Sequence, residues 1–524
     1  MKNFIAKIIT AVCITSVLGG CAASALTENV TTASSDVNAE QNGASEITDE
    51  GTDEFVCAGA YDIYSLDPFK DTSEQYGSVF APVFDKLLNI DGNGNINPGL
   101  IESWECSPDG LSYSFRLKDG VSFSDGSRFT VDALSAAWKY AAEECNHQDW
   151  TVIDSIERVD DLNMIVHLRK SDPEFIVNVA ESAYVEPESF AKLGPEIYWN
   201  NPIGCGRYVY AGRFQGRSIS FSRNDSYWGD NSTSPSDLVY MPIADDEARA
   251  DALLDGRADF ITDIPYERLK DVRKKKDTIT ERTAGTTMLW IGTQCKPQSP
   301  CSDADLRKAI SLCIDRSLIA VNVCGNGYPI YADAPSYIFG KADYDAGEYF
   351  LHDQDKAREY LEQSSYDGEA LRFIVPTSRF ERVDEIVQTL NAMLSDIGIN
   401  VEIQMLEGAA YTAARGNGEY DLCLQSHRFT AYDAKWYWQQ FVYNHGKYHY
   451  DNREALDRIT AAYHAADIKS CSDNMNSALR LMAEDCAPMI PLLINETNCA
   501  YESEWTGIRM YPDGRFDIRN ISRK

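Results

Sequence analysis

The densest run of chemically capable side chains lies between Gln425 and His449. It reads Gln425-Ser426-His427-Arg428-Phe429-Thr430-Ala431-Tyr432-Asp433, then Trp436-Tyr437-Trp438, then Phe441 and Tyr443. Arg428 carries a guanidinium fork that matches a carboxylate bidentately; the alternative is a solvated surface charge. Tyr432, Trp436, Tyr437, Trp438, Phe441 and Tyr443 are either interior packing or a stacking wall for apolar ligand groups. His445 and His449 stand four residues apart and near His427, the donor type of a metal site, but in a Gly- and Tyr-rich loop where histidines are commonly solvated. The motifs of catalysis are missing: there is no Gly-x-Ser-x-Gly, no His-Glu-x-x-His and no P-loop. The acid pair Asp245-Asp246 opens a helix, where capping accounts for it. These residues suit a protein that binds, with no enzyme activity, no resident metal and no cofactor.

Positioning them falls to alternating strands and helices from Phe55 onward, the pattern of an α/β protein. Asp421-Leu422-Cys423-Leu424 is a strand that delivers Gln425 to Asp433. Val383, Ile386, Val387, Leu390, Met393, Leu394 and Ile397 fall at helical spacing, stopped by Gly398, and a strand follows from Ile399 to Met405. Asp303 caps a helix expected over Leu306 to Val321, and Asp245 opens one running to Leu254. Further helices are expected from Ser73 to Leu88 and from Ala133 to Glu144. Leu111, Tyr113, Phe115 and Leu117 share one face of a strand. The most distinctive stretch, Trp199 to Gly229, is a turn–hairpin–turn in which Gly204 and Gly206 flank Cys205 at a bend with no room for bulk.

A chain of 524 residues exceeds one core and divides into two or three domains. Its net charge of −33 argues against nucleic-acid binding, and serves solubility or the attraction of cationic ligands. Lys2 and Lys7 followed by the apolar run Ile8 to Leu18 read as a signal segment, too short to span a bilayer. It ends in Leu18-Gly19-Gly20-Cys21, which resembles the lipobox of bacterial lipoproteins and implies cleavage before Cys21 and acylation of its thiol. Residues 21–54 hold eight acids and no Lys or Arg, the composition of a disordered tether. Removing Cys13 and Cys21 leaves twelve of the 14 cysteines for the folded part, where Cys295 and Cys301 are the closest loop pair; spacing leaves pairing and free buried thiols equally open.

Several local patterns together resemble the extracytoplasmic solute-binding proteins of oligopeptide and dipeptide ABC transporters, family 5 type. They are Ser65-Leu66-Asp67-Pro68, Leu100 to Trp104 with Ser107-Pro108-Asp109-Gly110, and Tyr113 to Gly126. Gly204 to Tyr208, Arg223 to Trp228, and Leu306 to Ile310 with Ile314-Asp315-Arg316 complete the set, in the family's order. The resemblance covers Phe55 to the C-terminus. It implies a periplasmic-binding-protein-like α/β fold of type II: two lobes with a hinge and an extra inserted domain. On that pattern residues 55–76, 200–285 and 495–524 form lobe I, 77–199 the inserted domain and 286–494 lobe II. It also implies a lipid-anchored monomer on the extracytoplasmic face that captures a peptide-like solute and passes it to permease subunits. Nickel-chelate or haem binding on the same fold, and peptide sensing without transport, are the alternatives.

The implied site is the cleft. Asp62, Ile63 and Tyr64 are the strand-like segment of lobe I; Ser426, His427, Arg428, Phe429, Thr430, Tyr432, Asp433 and Trp436 are that of lobe II. Peptide binders of the family commonly carry Trp-x-x-Asp, whose aspartate holds the peptide ammonium; His427 and Thr430 occupy those positions here. A threonine cannot supply the missing charge, so either Asp433 reaches in or the ligand has no free amine there.

Overall fold

Two long antiparallel strands, Thr278–Thr293 and Met489–Glu502, cross from one half of an eleven-stranded sheet into the other. In the computed structural model the described residues are 53–71, 76–91, 95–145, 147, 149–325, 327–332, 334, 347–377, 382–429, 433–443, 446–486 and 488–524. Cys21, Thr430, Tyr432 and His445 lie outside them. No described helix is long and apolar enough to cross a membrane. The paired strands divide the sheet into a first-lobe side and a second-lobe side, as the resemblance implies.

On the first-lobe side the sheet continues from Met489–Glu502 through Phe260–Thr262, Glu54–Gly59, Asp237–Pro242 and Ser218–Arg223 to Tyr208–Phe214. Glu54–Gly59 is parallel to both its neighbours. Period-2 alternation sends Phe55 and Cys57 to one face and Ala58 to the other, where Leu253 and Leu269 of two helices cover it. On the second-lobe side the order is Thr278–Thr293, Leu422–Arg428, Leu371–Pro376, Val401–Leu406. Leu422 and Leu424 join the cluster built with helices Ala304–Cys313 and Val383–Asp396. Cys423 faces the opposite cluster, under Arg453–Tyr463 and Ile468–Glu484.

A separate four-stranded antiparallel sheet, in the order Ile101–Cys106, Ser112–Leu117, Asn163–Leu168, Ile153–Arg158, forms the inserted domain. Its residues Tyr113, Phe115, Leu134 and Trp138 belong to the same apolar cluster as Phe55 and Phe221 of the first lobe. The chain returns from it through Gly204 and Gly206. A Cβ on Gly204 would stand 2.0 Å from the Val83 carbonyl oxygen, and one on Gly206 2.2 Å from that of Pro82. Backbone therefore lies directly on backbone, with the Gly206 N–H donating to the Val83 carbonyl at 2.9 Å.

Two expected helices are shorter than their apolar runs suggested. Among the described residues the run from Ser73 to Leu88 is helical over Tyr76–Phe80 and ends there, before a turn and the strand Leu88–Ile90, because Pro82 follows and has no N–H to continue a helix. The helix after Asp303 stops at Cys313, and Ile314 is extended. That bend turns Arg316 inward, where its guanidinium donates to the carbonyls of Pro491 and Ser311. Val383–Asp396, Asp246–Leu254 and Val131–Glu143 fall within two residues of expectation. Cys295 and Cys301 keep separate thiols.

The pairing of the two crossing strands slips twice, once between Leu289 and Trp290 and more widely between Ala284 and Met288. Ala284 pairs with Glu496 and Met288 with Ile494, so three residues face Asn495 alone. The exposed Asn495 side chain caps this bulge, accepting from the Thr287 N–H at 2.8 Å.

Candidate functional site

Leu422–Arg428 is buried over its first four residues and half-buried over Ser426, His427 and Arg428. Apolar residues anchor the strand between the two helix layers, and its polar end emerges where His427 pairs with Met288 and Arg428 with Thr287. The chemically capable end of the strand is therefore held at the bulge between the lobes.

His427 Nε2 lies 2.9 Å from Asp433 Oδ2. Its ring stacks on Trp436 at 4.5 Å and meets Phe429 edge-on at 4.7 Å. Phe429 and Tyr437 are fully buried, and Trp436 also packs on Trp290. Phe429, Tyr437 and Phe441 are thus packing that fixes the half-buried His427–Trp436 pair. His449 hydrogen-bonds through Nδ1 to Gln294 Oε1 at 3.0 Å. Among the described residues no group of three His, Cys, Asp or Glu is arranged to hold a metal ion.

Arg428 donates to the main-chain carbonyl of Asp513, on the C-terminal hairpin that packs with the first lobe. Burial pulls its pKa down, and Asp513 and Tyr61 partly offset that. The Asp513 carboxylate accepts from Arg515 Nε at 2.6 Å. Arg515 pairs in turn with Glu181, which also meets Lys86 at 3.2 Å. Burial alone would raise the Glu181 carboxyl; Arg515 and Lys86 outweigh it and hold it at about 2. Arg515, Glu181, Tyr76, Phe80, His147 and Trp150 border a cavity of about 320 Å³.

The helix Phe175–Glu181 links this basic corner to an acidic one. Seven residues at 1.5 Å each give a rise of about 10 Å. At its other end Glu174 is pushed up to about 8, first by burial and then by Asp172 and Asp433. Asp433 therefore stands between an attractive imidazole and a repelling carboxyl.

Asp62, Ile63 and Tyr64 are placed on the first lobe with their main chain engaged. The Tyr64 and Ser65 N–H groups donate to Asp71 at 2.8 and 3.0 Å. Arg213 donates to the Ile63 carbonyl and lies 3.5 Å from Asp62. Ile63 is buried and the Tyr64 ring is 80% exposed. Sequence reasoning missed Glu174, Glu181, Asp513 and Arg515. Asp513-Gly514-Arg515 is legible as a turn, but no local signal says that it meets Arg428.

Residues 95–462 match the family model described as bacterial extracellular solute-binding proteins, family 5 Middle. The glutathione-binding protein GsiB of Escherichia coli O1:K1 / APEC is 23% identical over 488 residues, covering 89% of this chain and 94% of that protein. Among solved structures, the periplasmic murein tripeptide binding protein MppA in its unliganded open form superposes with a TM-score of 0.78 at 20% identity, over 90% of this chain and 97% of that one. The nickel ABC transporter protein from Bacillus halodurans gives 0.77 at 20% identity, over 90% and 99%.

Proposed function

Because the chain belongs to the bacterial extracellular solute-binding proteins of family 5, we propose that it captures a short, zwitterionic, peptide-like solute in the cleft between its lobes and passes it to an ABC permease. The observation that carries this reading is the polarity of the cleft. Arg515 pairs with Glu181 at one end of the helix Phe175–Glu181 and leads through Asp513 to Arg428; Glu174, which feels the charge of Asp433, precedes the other end. An extended chain advances about 3.3–3.6 Å per residue, so about 10 Å suits two to four residues. The ligand carboxylate is assigned to Arg428, which would exchange a neutral carbonyl for a charged acceptor. The ammonium is assigned to Asp433, replacing the acid missing at Thr430, with the Glu174 carboxyl beside it as a hydrogen-bond acceptor. Ser426, His427 and Arg428, with Asp62 to Tyr64 of the first lobe, are assigned to flank the ligand, and Trp436 to wall it. The named specificities of relatives, glutathione and murein tripeptide, are likewise short and peptidic.

We assign 55–76, 200–285 and 495–524 to the first lobe, 77–199 to the inserted domain and 286–494 to the second lobe, with the hinge at the Asn495 bulge. The protein is read as a monomer held at the membrane by acylated Cys21. Thermal shift against di- to hexapeptides tests the ligand class. Stabilisation by nickel or haem but by no peptide would sink it. Membrane retention of Cys21→Ser would refute the anchor.

A further inference from the structure

The inserted domain shares its core with the first lobe, yet it also touches the second. Val177 and Ile468 are the apolar side chains at this seam, both packed on the second-lobe cluster, and Ile468 on the first-lobe cluster as well. Ser171 Oγ donates to the Ala465 carbonyl at 2.7 Å, and Cys106 Sγ lies 3.6 Å from that of Ala466. Closest of all is Gly110, in the turn closed by its N–H to the Ser107 carbonyl at 2.9 Å. A Cβ there would stand 2.9 Å from Ala466 Cα and 2.8 Å from Ser171 Oγ. The opposing residues 465–467 connect helices Arg453–Tyr463 and Ile468–Glu484, and Asp467 is fixed as the cap of the second. Two turns of small residues thus meet closely, backbone against backbone.

We propose that this seam is a latch: the 107–110 turn seats on the 465–467 connection when the lobes close, and must leave it before solute enters or departs. The inference rests on the cleft being the solute site. The crossing strands are the covalent joint between the lobes, and the seam is a thin, non-covalent contact that a hinge motion can break. Few contacts of this kind open at modest cost. Cys106 reports its state directly, because its half-buried thiol lies in the seam.

Two glycines of the inserted domain separate the latch from a simple backbone effect. Gly110 has φ +69° and Gly120 has φ +79°, so alanine is strained at both, but only at Gly110 would its Cβ meet anything. Alkylation of Cys106, followed by mass spectrometry of its peptide, should accelerate about tenfold in Gly110→Ala, the equivalent of about 1.4 kcal/mol. Ser171→Ala should accelerate it less, and Gly120→Ala should leave it at the wild-type rate. Equal rates in the two glycine variants would overturn the latch. Oxidation of Ala466→Cys onto Cys106 should slow exchange of a bound peptide at least about tenfold, reversibly with a reductant; unchanged exchange in the cross-linked protein would also overturn it. The alkylation readout needs no ligand, so a failure of the peptide reading would leave it standing.

Discussion

Arg515 and Glu181 are 334 residues apart in the chain and form an ion pair in the lining of the cavity. The pair ties the C-terminal hairpin to the inserted domain, and through Asp513 to Arg428 of the second lobe. Glu181 is depressed from its ordinary 4.5 to about 2, so it favours the folded state whenever it is ionised. That contribution is fully present above pH 4.5 and is lost as pH falls from 4.5 through 2. Glu181→Gln should unfold more easily at neutral pH, by on the order of 2 kcal/mol. It should also show a shallower loss of stability below pH 4.5. Urea midpoints at pH 7 and pH 3 check this; parallel pH profiles would contradict it.

Arg428 donates to a main-chain carbonyl, so its place in the cleft can be tested by charge alone. Arg428→Gln keeps a donor and removes the cation. Peptides with a free C-terminal carboxylate should lose about 30- to 150-fold in affinity, the value of a charge-assisted hydrogen bond of about 2–3 kcal/mol. C-terminally amidated peptides should lose little. Calorimetry on matched acid and amide pairs decides it, and equal losses would remove Arg428 from the carboxylate site.

Glu174 gives the opposite pH signature. Burial first, then Asp172, Asp433 and Asp149, raise its carboxyl from 4.5 to about 8, while Lys435 partly relieves it. A raised carboxyl favours the folded state when protonated. That contribution is complete below pH 4.5 and fades as pH rises through 8. Glu174→Gln should abolish this slope and raise the melting temperature at pH 8.5 relative to wild type. The two proteins should agree more closely at pH 5. Scanning calorimetry across this range suffices, and an unchanged slope would show that Glu174 does not carry it.

What was legible in the chain was what local chemistry dictates. Val383 to Ile397 reads as a helix because seven apolar residues fall on one face, and Asp245 reads as a cap because its side chain accepts from Ala248. The apolar run through Val83 was misread where tertiary demands won: the chain around Pro82 accepts the Gly204–Gly206 backbone instead of continuing a helix. Asp421 to Asp433 stood out because its residue types are rare together. Its partners did not, since Asp513 meets Arg428 across 85 residues and Glu174 approaches Asp433 from the inserted domain. A charge pattern set by folding leaves no local trace.

The bulge at Asn495 offers a test of the hinge that needs no ligand. A Cβ on Gly285 would stand 2.3 Å from Asn495 Oδ1, the atom that accepts from the Thr287 N–H. Asn495→Ala leaves that exposed N–H to water and should cost about 0.5–1 kcal/mol. Gly285→Ala should cost more on its own, because it displaces the same side chain while keeping its bulk in the bulge. In the double variant the added methyl occupies the space the amide left, so the two costs should not add. A double-mutant cycle in urea should therefore show a coupling of about 1 kcal/mol or more. The difference in scattering radius between Gly285→Ala and wild type should also shrink in the double variant. Strict additivity of the two costs would mean that Asn495 and Gly285 do not form one joint.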